Sequence, residues 1–160
     1  MTLACQAGCD DERVPSELVV VTRTRHAVER LFDLALDVDA HVRSMPGSGE
    51  RAVGGVTSGR IGLGETVTWS GRHLGVRFTM TAQVVELERP HRFLDVQVTG
   101  PFRSFVHEHV FERDGEETVM TDRILVASPV LGRVAERLVL VPYLRRLIGR
   151  RGRLLVEALG

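Results

Sequence analysis

Alternation of apolar and polar residues between positions 65 and 127 constrains the fold of this chain most strongly. Successive side chains of a strand face opposite sides of a sheet, so this period of two predicts strands. The predicted strands span residues 65–73, 76–87, 92–98, 102–113 and 118–127. Gly75 and the pair Asp114-Gly115 mark tight turns between neighbouring strands. Antiparallel hairpins are therefore the expected connections.

Helical spacing flanks this block on both sides. A β-rich run predicts a first strand over residues 18–25, and a short helix should follow it. Asp37 or Asp39 is expected to cap a second short helix that Pro46 ends. After Pro129, apolar residues recur every three or four positions and predict one long helix, with the stripe Leu131, Val134, Leu138, Val141, Leu144 and Ile148. Pro142 should kink or break that helix near residues 138–141.

The pattern as a whole predicts an α+β fold. A curved antiparallel sheet wraps around the long C-terminal helix, and two short helices follow the first strand. A chain of 160 residues has the length of one domain, which we place at residues 18–160 behind a flexible tail at residues 1–17. The tail contains Cys5 and Cys9, too few for a disulfide framework or a zinc site.

Charge and hydropathy exclude several classes of protein. The formal net charge is zero and there is no lysine, so the composition does not favour nucleic-acid binding. After Pro129, seven arginines face two glutamates, which is typical of a solvated helix face. Without an apolar run of about 18 residues, we expect no stable membrane insertion and a cytoplasmic protein. A homodimer is compatible with the apolar stripe.

The strand at residues 102–113 carries the candidate site. Its inward face alternates Phe105, His107, His109 and Phe111, so two imidazoles lie between two phenyl rings. A hairpin closing at Asp114 would place the carboxylate of Asp122 on that same face. The further residues expected to line this site come from neighbouring strands and the last helix: Trp69, His73, Phe78, Met80, Met120 and Leu138.

Element order and a set of local runs resemble the START-like helix-grip superfamily, in its bacterial polyketide cyclase/dehydrase-like (SRPBCC) branch. The resemblance covers residues 18–159. It depends on such runs as Gly64-Glu-Thr-Val-Thr-Trp69, Arg89-Pro-His-Arg-Phe93, His107-Glu-His109, Met120-Thr-Asp122 and Tyr143-Leu-Arg-Arg-Leu147. The resemblance implies a cavity between sheet and helix that members use for lipid binding, hormone sensing or aromatic ring closure.

Four interpretations of the site remain open. The histidines and Asp122 form a buried hydrogen-bond network, or they orient a small hydrophobic or aromatic ligand in the cavity. A third interpretation is catalytic: His107, His109 and Asp122 act as a general base and oxyanion stabiliser in a polyketide cyclase or dehydratase. A facial triad of two histidines and one carboxylate around a metal is the fourth. We expect a ligand-binding protein without a metal or other cofactor.

Overall fold

The computed structural model describes residues 14–129 and 132–160. Most of the predicted tail, including Cys5 and Cys9, therefore lies outside the described residues, as does Leu131. The first strand already begins at Ser16, two residues before the boundary that the sequence indicated.

Within residues 14–129 and 132–160, seven strands form one antiparallel sheet. Their bounds are Ser16–Thr24 (β1), Arg51–Gly55 (β2), Thr66–His73 (β3), Val76–Glu88 (β4), Arg92–Thr99 (β5), Ser104–Asp114 (β6) and Glu117–Ala127 (β7). The spatial order is β1-β7-β6-β5-β4-β3-β2, so every neighbour from β2 to β7 is also a neighbour along the chain. Only β1 reaches its partner β7 by a long connection. The predicted hairpins are confirmed.

Two short helices follow the first strand, as predicted: α1 at Val28–Ala35 and α2 at Val38–Ser44. The residues of α1 that repeat at helical spacing are all buried. Asp37 caps α2, since its Oδ1 accepts a hydrogen bond of 2.7 Å from the backbone amide of Ala40. The cap fixes the start of α2 against the inner face of the sheet.

The C-terminal helix is interrupted where Pro142 predicted it. A short helical piece, α3 at Arg133–Ala135, leads into a π-helical turn at Glu136–Leu140, and α4 runs over Val141–Ala158. Proline has no amide hydrogen and its ring crowds the carbonyl one turn earlier. A π-turn is one way in which a helix accommodates such a break, because it lengthens the local hydrogen-bonded ring.

The π-turn also changes which residues face the sheet. Leu138 is 71% exposed and Val134 is equally exposed, so the prediction that Leu138 lines the cavity is wrong. The inner face instead carries Leu140, Leu144 and Ile148. Because the π-turn inserts an extra residue, a stripe extrapolated at uniform α-helical spacing ends on the solvent side.

Two clusters of buried side chains form the core. One packs α1 and α2 against β5, β6 and β7, with Phe32 in edge contact with both Phe93 and Phe111. The other packs Leu140 and its neighbours on α4 against β1, β6 and β7. Between them, α4 approaches β1 so closely that a Cβ atom on Gly152 would lie 2.2 Å from Thr22 Oγ1.

Candidate functional site

A buried cluster around Asp122 occupies the centre of the inner face of the sheet. The β6–β7 register pairs His109 with Asp122, as the hairpin at Asp114-Gly115 predicted. His107 Nε2 lies 2.9 Å from Asp122 Oδ1 and His109 Nδ1 lies 2.8 Å from the same oxygen. The His107 contact has hydrogen-bond geometry, whereas the His109 contact does not. The carboxylate of Asp122 has no exposed surface.

Two further charged groups complete this cluster, and the sequence did not predict either of them. Asp95 on β5 lies on the other side of His109, with 3.1 Å between Asp95 Oδ2 and His109 Nε2. Arg151 on α4 places Nη1 3.8 Å from Asp122 Oδ1, and its Nη2 donates to the carbonyl of Ala35 at 3.3 Å. The cluster thus joins β5, β6 and β7 to α4 and to the end of α1.

The surroundings shift the pKa values of the two histidines in opposite directions. Burial and the neighbouring charge of His109 lower the pKa of His107, although Asp122 opposes them. Burial also acts against a charged His109, but Asp122 and Asp95 outweigh it and raise its pKa. The pKa of Asp122 is far below its usual range because its histidine contacts outweigh its burial. The cluster therefore favours the charged form of His109, next to two carboxylates, and the neutral form of His107.

A small cavity of about 70 Å³ opens beside this cluster. His107, His109, Asp95 and Arg151 line it, together with apolar side chains of α1, β3, β4 and β5. His41 of α2 and Trp69 of β3 stack against each other at its edge, with ring centroids 4.0 Å apart. The predicted histidines therefore face a small cavity in which a few polar groups lie among apolar side chains.

A second polar group surrounds the buried carboxylate of Glu50, which precedes β2. His41 Nε2 lies 2.8 Å from Glu50 Oε1, and His73 Nε2 lies 3.3 Å from Glu50 Oε2. The other ring nitrogen of His73, Nδ1, is 2.7 Å from the hydroxyl of Tyr143 on α4. Although burial alone would raise the pKa of Glu50, its hydrogen bonds to His41 and His73 lower it to about 2. Burial lowers the pKa of His41 and raises that of Tyr143.

A larger cavity of about 320 Å³ lies between the sheet and α4. Its walls are mostly apolar and include Phe78, Met80 and Phe105 from the sheet. The facing wall comes from the π-turn and α4, with Leu140, Tyr143, Leu144, Leu147 and Ile148. Glu50, His73 and Tyr143 supply a polar end to this otherwise apolar space.

The predicted site residues are thus divided between two spaces. Trp69, His73, Phe78, Met80 and Phe105 line the larger cavity, and His107 and His109 line the smaller one. Trp69 belongs to both and stands between them. The remaining predicted residues line neither cavity: Asp122 is buried behind the histidines, Phe111 and Met120 pack in the core near α1, and Leu138 faces solvent.

One group of side chains has the ligand atoms of a metal site. Asp95, His107 and His109 each offer one such atom, and these atoms lie within 4.8 Å of one another. Arg151 already places a positive charge on the same side of the cluster. A divalent cation would face that charge, so the donor set fits a metal better than the electrostatics do.

No family model matches the chain, and no curated protein matches its sequence. Solved structures do match its fold. A protein from Thermus thermophilus superposes with a TM-score of 0.71 at 17% identity, covering 91% of this chain and 100% of that one. The Zhui aromatase/cyclase of a Streptomyces species gives 0.70 at 14% identity, over 89% and 92% of the two chains.

A START superfamily protein from Mycobacterium smegmatis gives a TM-score of 0.66 at 16% identity, over 90% of this chain and 99% of that one. No described helix is long and apolar enough to cross a membrane. The sheet order, the two short helices and the C-terminal helix agree with these structures along nearly the whole chain. The chain therefore has the helix-grip fold.

Proposed function

We propose that the protein binds a small, mostly apolar molecule in the larger cavity. The observation that carries this proposal is the lining of a 320 Å³ space by aromatic and aliphatic side chains from both the sheet and α4. Ligand cavities in proteins begin at about this volume and combine apolar walls with a few placed polar groups. A dry core would instead close such a space, because voids cost free energy.

The polar end of the cavity suggests how a ligand is oriented. Tyr143 donates its hydroxyl hydrogen to His73 Nδ1 when His73 Nε2 donates to Glu50, which is ionised at neutral pH. The Tyr143 oxygen then retains lone pairs that accept a hydrogen bond. We infer that the ligand carries one hydroxyl or similar donor beside an aromatic or aliphatic body.

The test is a calorimetric titration of 2-naphthol, with naphthalene as the matched ligand that lacks the hydroxyl. We expect saturable binding of 2-naphthol with one site per chain, and weaker binding of naphthalene. Tyr143→Phe should reduce the preference for 2-naphthol by about fivefold, the value of one ordinary hydrogen bond. Equal affinities of the two compounds for the wild type would contradict the orienting role of Tyr143.

A cavity-filling variant separates binding inside the protein from binding to its surface. Met80→Trp adds bulk to the cavity wall and should abolish the titration, whereas Thr79→Trp on the exposed face of β4 should leave it unchanged. Binding that persists in Met80→Trp at wild-type affinity would exclude the cavity as the site.

Catalysis is the second candidate function, and one observation favours it. His107 is neutral, donates through Nε2 to Asp122, and has no partner for Nδ1 among the described residues. That arrangement suits a general base in a cyclase or dehydratase. His107 lines the smaller cavity, so a substrate would have to extend past Trp69. A single-turnover assay on an aromatic polyketide-type substrate should show a rate loss in His107→Phe; equal rates would exclude this role.

A cytoplasmic location and a homodimer stay predictions.

A further inference from the structure

Arg151 differs from every other arginine of the C-terminal segment. The other six are exposed, as the sequence predicted, but Arg151 is only 3% exposed. Its Nη2 donates to the carbonyl of Ala35, while Nε and Nη1 have no hydrogen-bond partner. A buried guanidinium normally uses its five N–H groups, because unpaired buried donors cost free energy. Nη1 faces Asp122 Oδ1 at 3.8 Å, and Asp122 Oδ2 also makes no hydrogen bond within the described residues. The guanidinium therefore keeps donors that a further acceptor can use.

The smaller cavity has room for that acceptor. Arg151 lines it, and its volume of about 70 Å³ exceeds the ~10–15 Å³ that one water molecule needs by this measure. A group of three or four heavy atoms is a closer match to the space. The apolar residues of α1, β3 and β4 around it would shield such a group from bulk solvent.

His107 supplies the opposite hydrogen-bonding character in the same cavity. Its Nε2 is committed to Asp122, and its Nδ1 has no partner among the described residues. A neutral imidazole with its hydrogen on Nε2 accepts at Nδ1. The cavity thus offers donors from Arg151 and one acceptor from His107.

The charged groups around the smaller cavity further restrict which ligand it can bind. His109 lies between the carboxylates of Asp95 and Asp122, and the guanidinium of Arg151 faces Asp122 at 3.8 Å. Adding a net charge to this buried set would cost more than adding a neutral polar group. A neutral planar group with one carbonyl oxygen and one N–H or O–H donor fits the size of the cavity, its hydrogen-bonding groups and its charge.

We propose that the smaller cavity is a binding site for a neutral carboxamide or carboxylic acid group, whose carbonyl oxygen accepts from Arg151 and whose donor bonds to His107 Nδ1. This site is separate from the larger apolar cavity, and Trp69 lies between the two. Its occupant is a short molecule of that class, or the end of a longer ligand.

Acetamide is the probe, because it is neutral at every working pH and has both groups. Titration at neutral pH, followed by NMR signals of the Arg151 Nε–H and the His107 ring, should give saturable shifts. Arg151→Met should weaken acetamide binding at least tenfold, whereas Arg146→Met, on the exposed face of α4, should not change it. Sodium acetate at the same pH should bind more weakly than acetamide.

A crystal structure of the wild type soaked in acetamide keeps the proposal testable if Arg151→Met does not fold. The expected result is an acetamide oxygen within hydrogen-bond distance of Arg151. A cavity that holds only water molecules at saturating acetamide would overturn the proposal, as would shifts that do not saturate. Neither outcome depends on 2-naphthol binding in the larger cavity, so the two proposals fail separately.

Discussion

Asp122 accepts a hydrogen bond of 2.9 Å from His107 Nε2 at a point where its carboxylate has no exposed surface. The same oxygen contacts His109, and Arg151 lies 3.8 Å away. A buried anion is stable only with such partners, because the free energy of taking it out of water is large. Asp122 therefore holds two strands and α4 together through charge.

Replacing this anion should be costly. Asp122→Asn leaves His109 and Arg151 without their shared counter-charge, so we expect a loss of about 3–5 kcal/mol in the free energy of unfolding. Asp114→Asn is the matched control, because Asp114 pairs with Arg23 at the exposed end of the hairpin, and should change stability by less than about 1 kcal/mol. Urea denaturation of both variants measures this difference. Equal losses would show that the buried cluster contributes no more than a surface pair.

Glu50 should make stability depend on pH in the acidic range. Its pKa is about 2 in the folded protein against an ordinary value of 4.5. As pH falls below the ordinary value, the unfolded chain takes up a proton that the folded chain does not, so stability decreases until the folded pKa is reached. The contribution is present above about pH 4.5 and is on the order of 3 kcal/mol.

The measurement compares urea denaturation of the wild type and Glu50→Gln between pH 7 and pH 2. We expect the wild type to be the more stable protein at neutral pH and the difference to shrink as pH approaches 2. The Asp122 cluster is common to both proteins and cancels in the comparison. A difference that stays constant with pH would mean that Glu50 has an ordinary pKa.

The contact between α4 and β1 predicts opposite effects for two neighbouring glycines. A Cβ on Gly152 would overlap the side chain of Thr22, whereas a Cβ on Gly149 would make an ordinary contact at 3.8 Å with Val20. Gly152→Ala should destabilise the protein by about 1–3 kcal/mol, and Gly149→Ala should stabilise it by up to about 1 kcal/mol through helix propensity. Thermal unfolding of the pair is the measurement, and a stabilised Gly152→Ala would contradict the close approach.

The π-turn makes a similar prediction for two leucines. Leu140 is buried beneath the sheet and Leu138 is 71% exposed. Leu140→Ala should lower the free energy of unfolding by about 2–5 kcal/mol, and Leu138→Ala by about 0.5 kcal/mol or less. The reverse order would place Leu138 on the buried face, as uniform α-helical spacing predicted, and would contradict the π-turn.

Strand periodicity explains why much of the fold was predictable. Alternation together with the turn at Asp114-Gly115 defines a register, and that register places His107, His109 and Asp122 on one face. Periodicity shows which face of the sheet a side chain lies on, but not how far along the strand the ligand site extends. Phe111 and Met120 were therefore assigned to the ligand site, although they lie at the end of the strands that α1 covers.

Other site residues had no usable signal in the sequence. Glu50 lies in a glycine-rich stretch without periodicity, and its two histidine partners come from separate elements. Asp95 shares its strand face with Phe93 and Gln97, and the opposite face carries Leu94, Val96 and Val98. Alternation alone did not show which of these two faces is the inner one. Arg151 is the exception: it follows Ile148 by three positions and therefore lies on the buried face of α4, but its residue type led us to count it among the solvated arginines.

The central claim is that the larger cavity holds a small, mostly apolar ligand, and a crystal structure of the protein saturated with 2-naphthol tests it most directly. We predict the rings between the sheet and α4, in contact with Phe78, Phe105 and Leu144, with the hydroxyl within hydrogen-bond distance of Tyr143. Rings bound on the outer surface, or a closed cavity that contains no ligand at saturation, would contradict the claim.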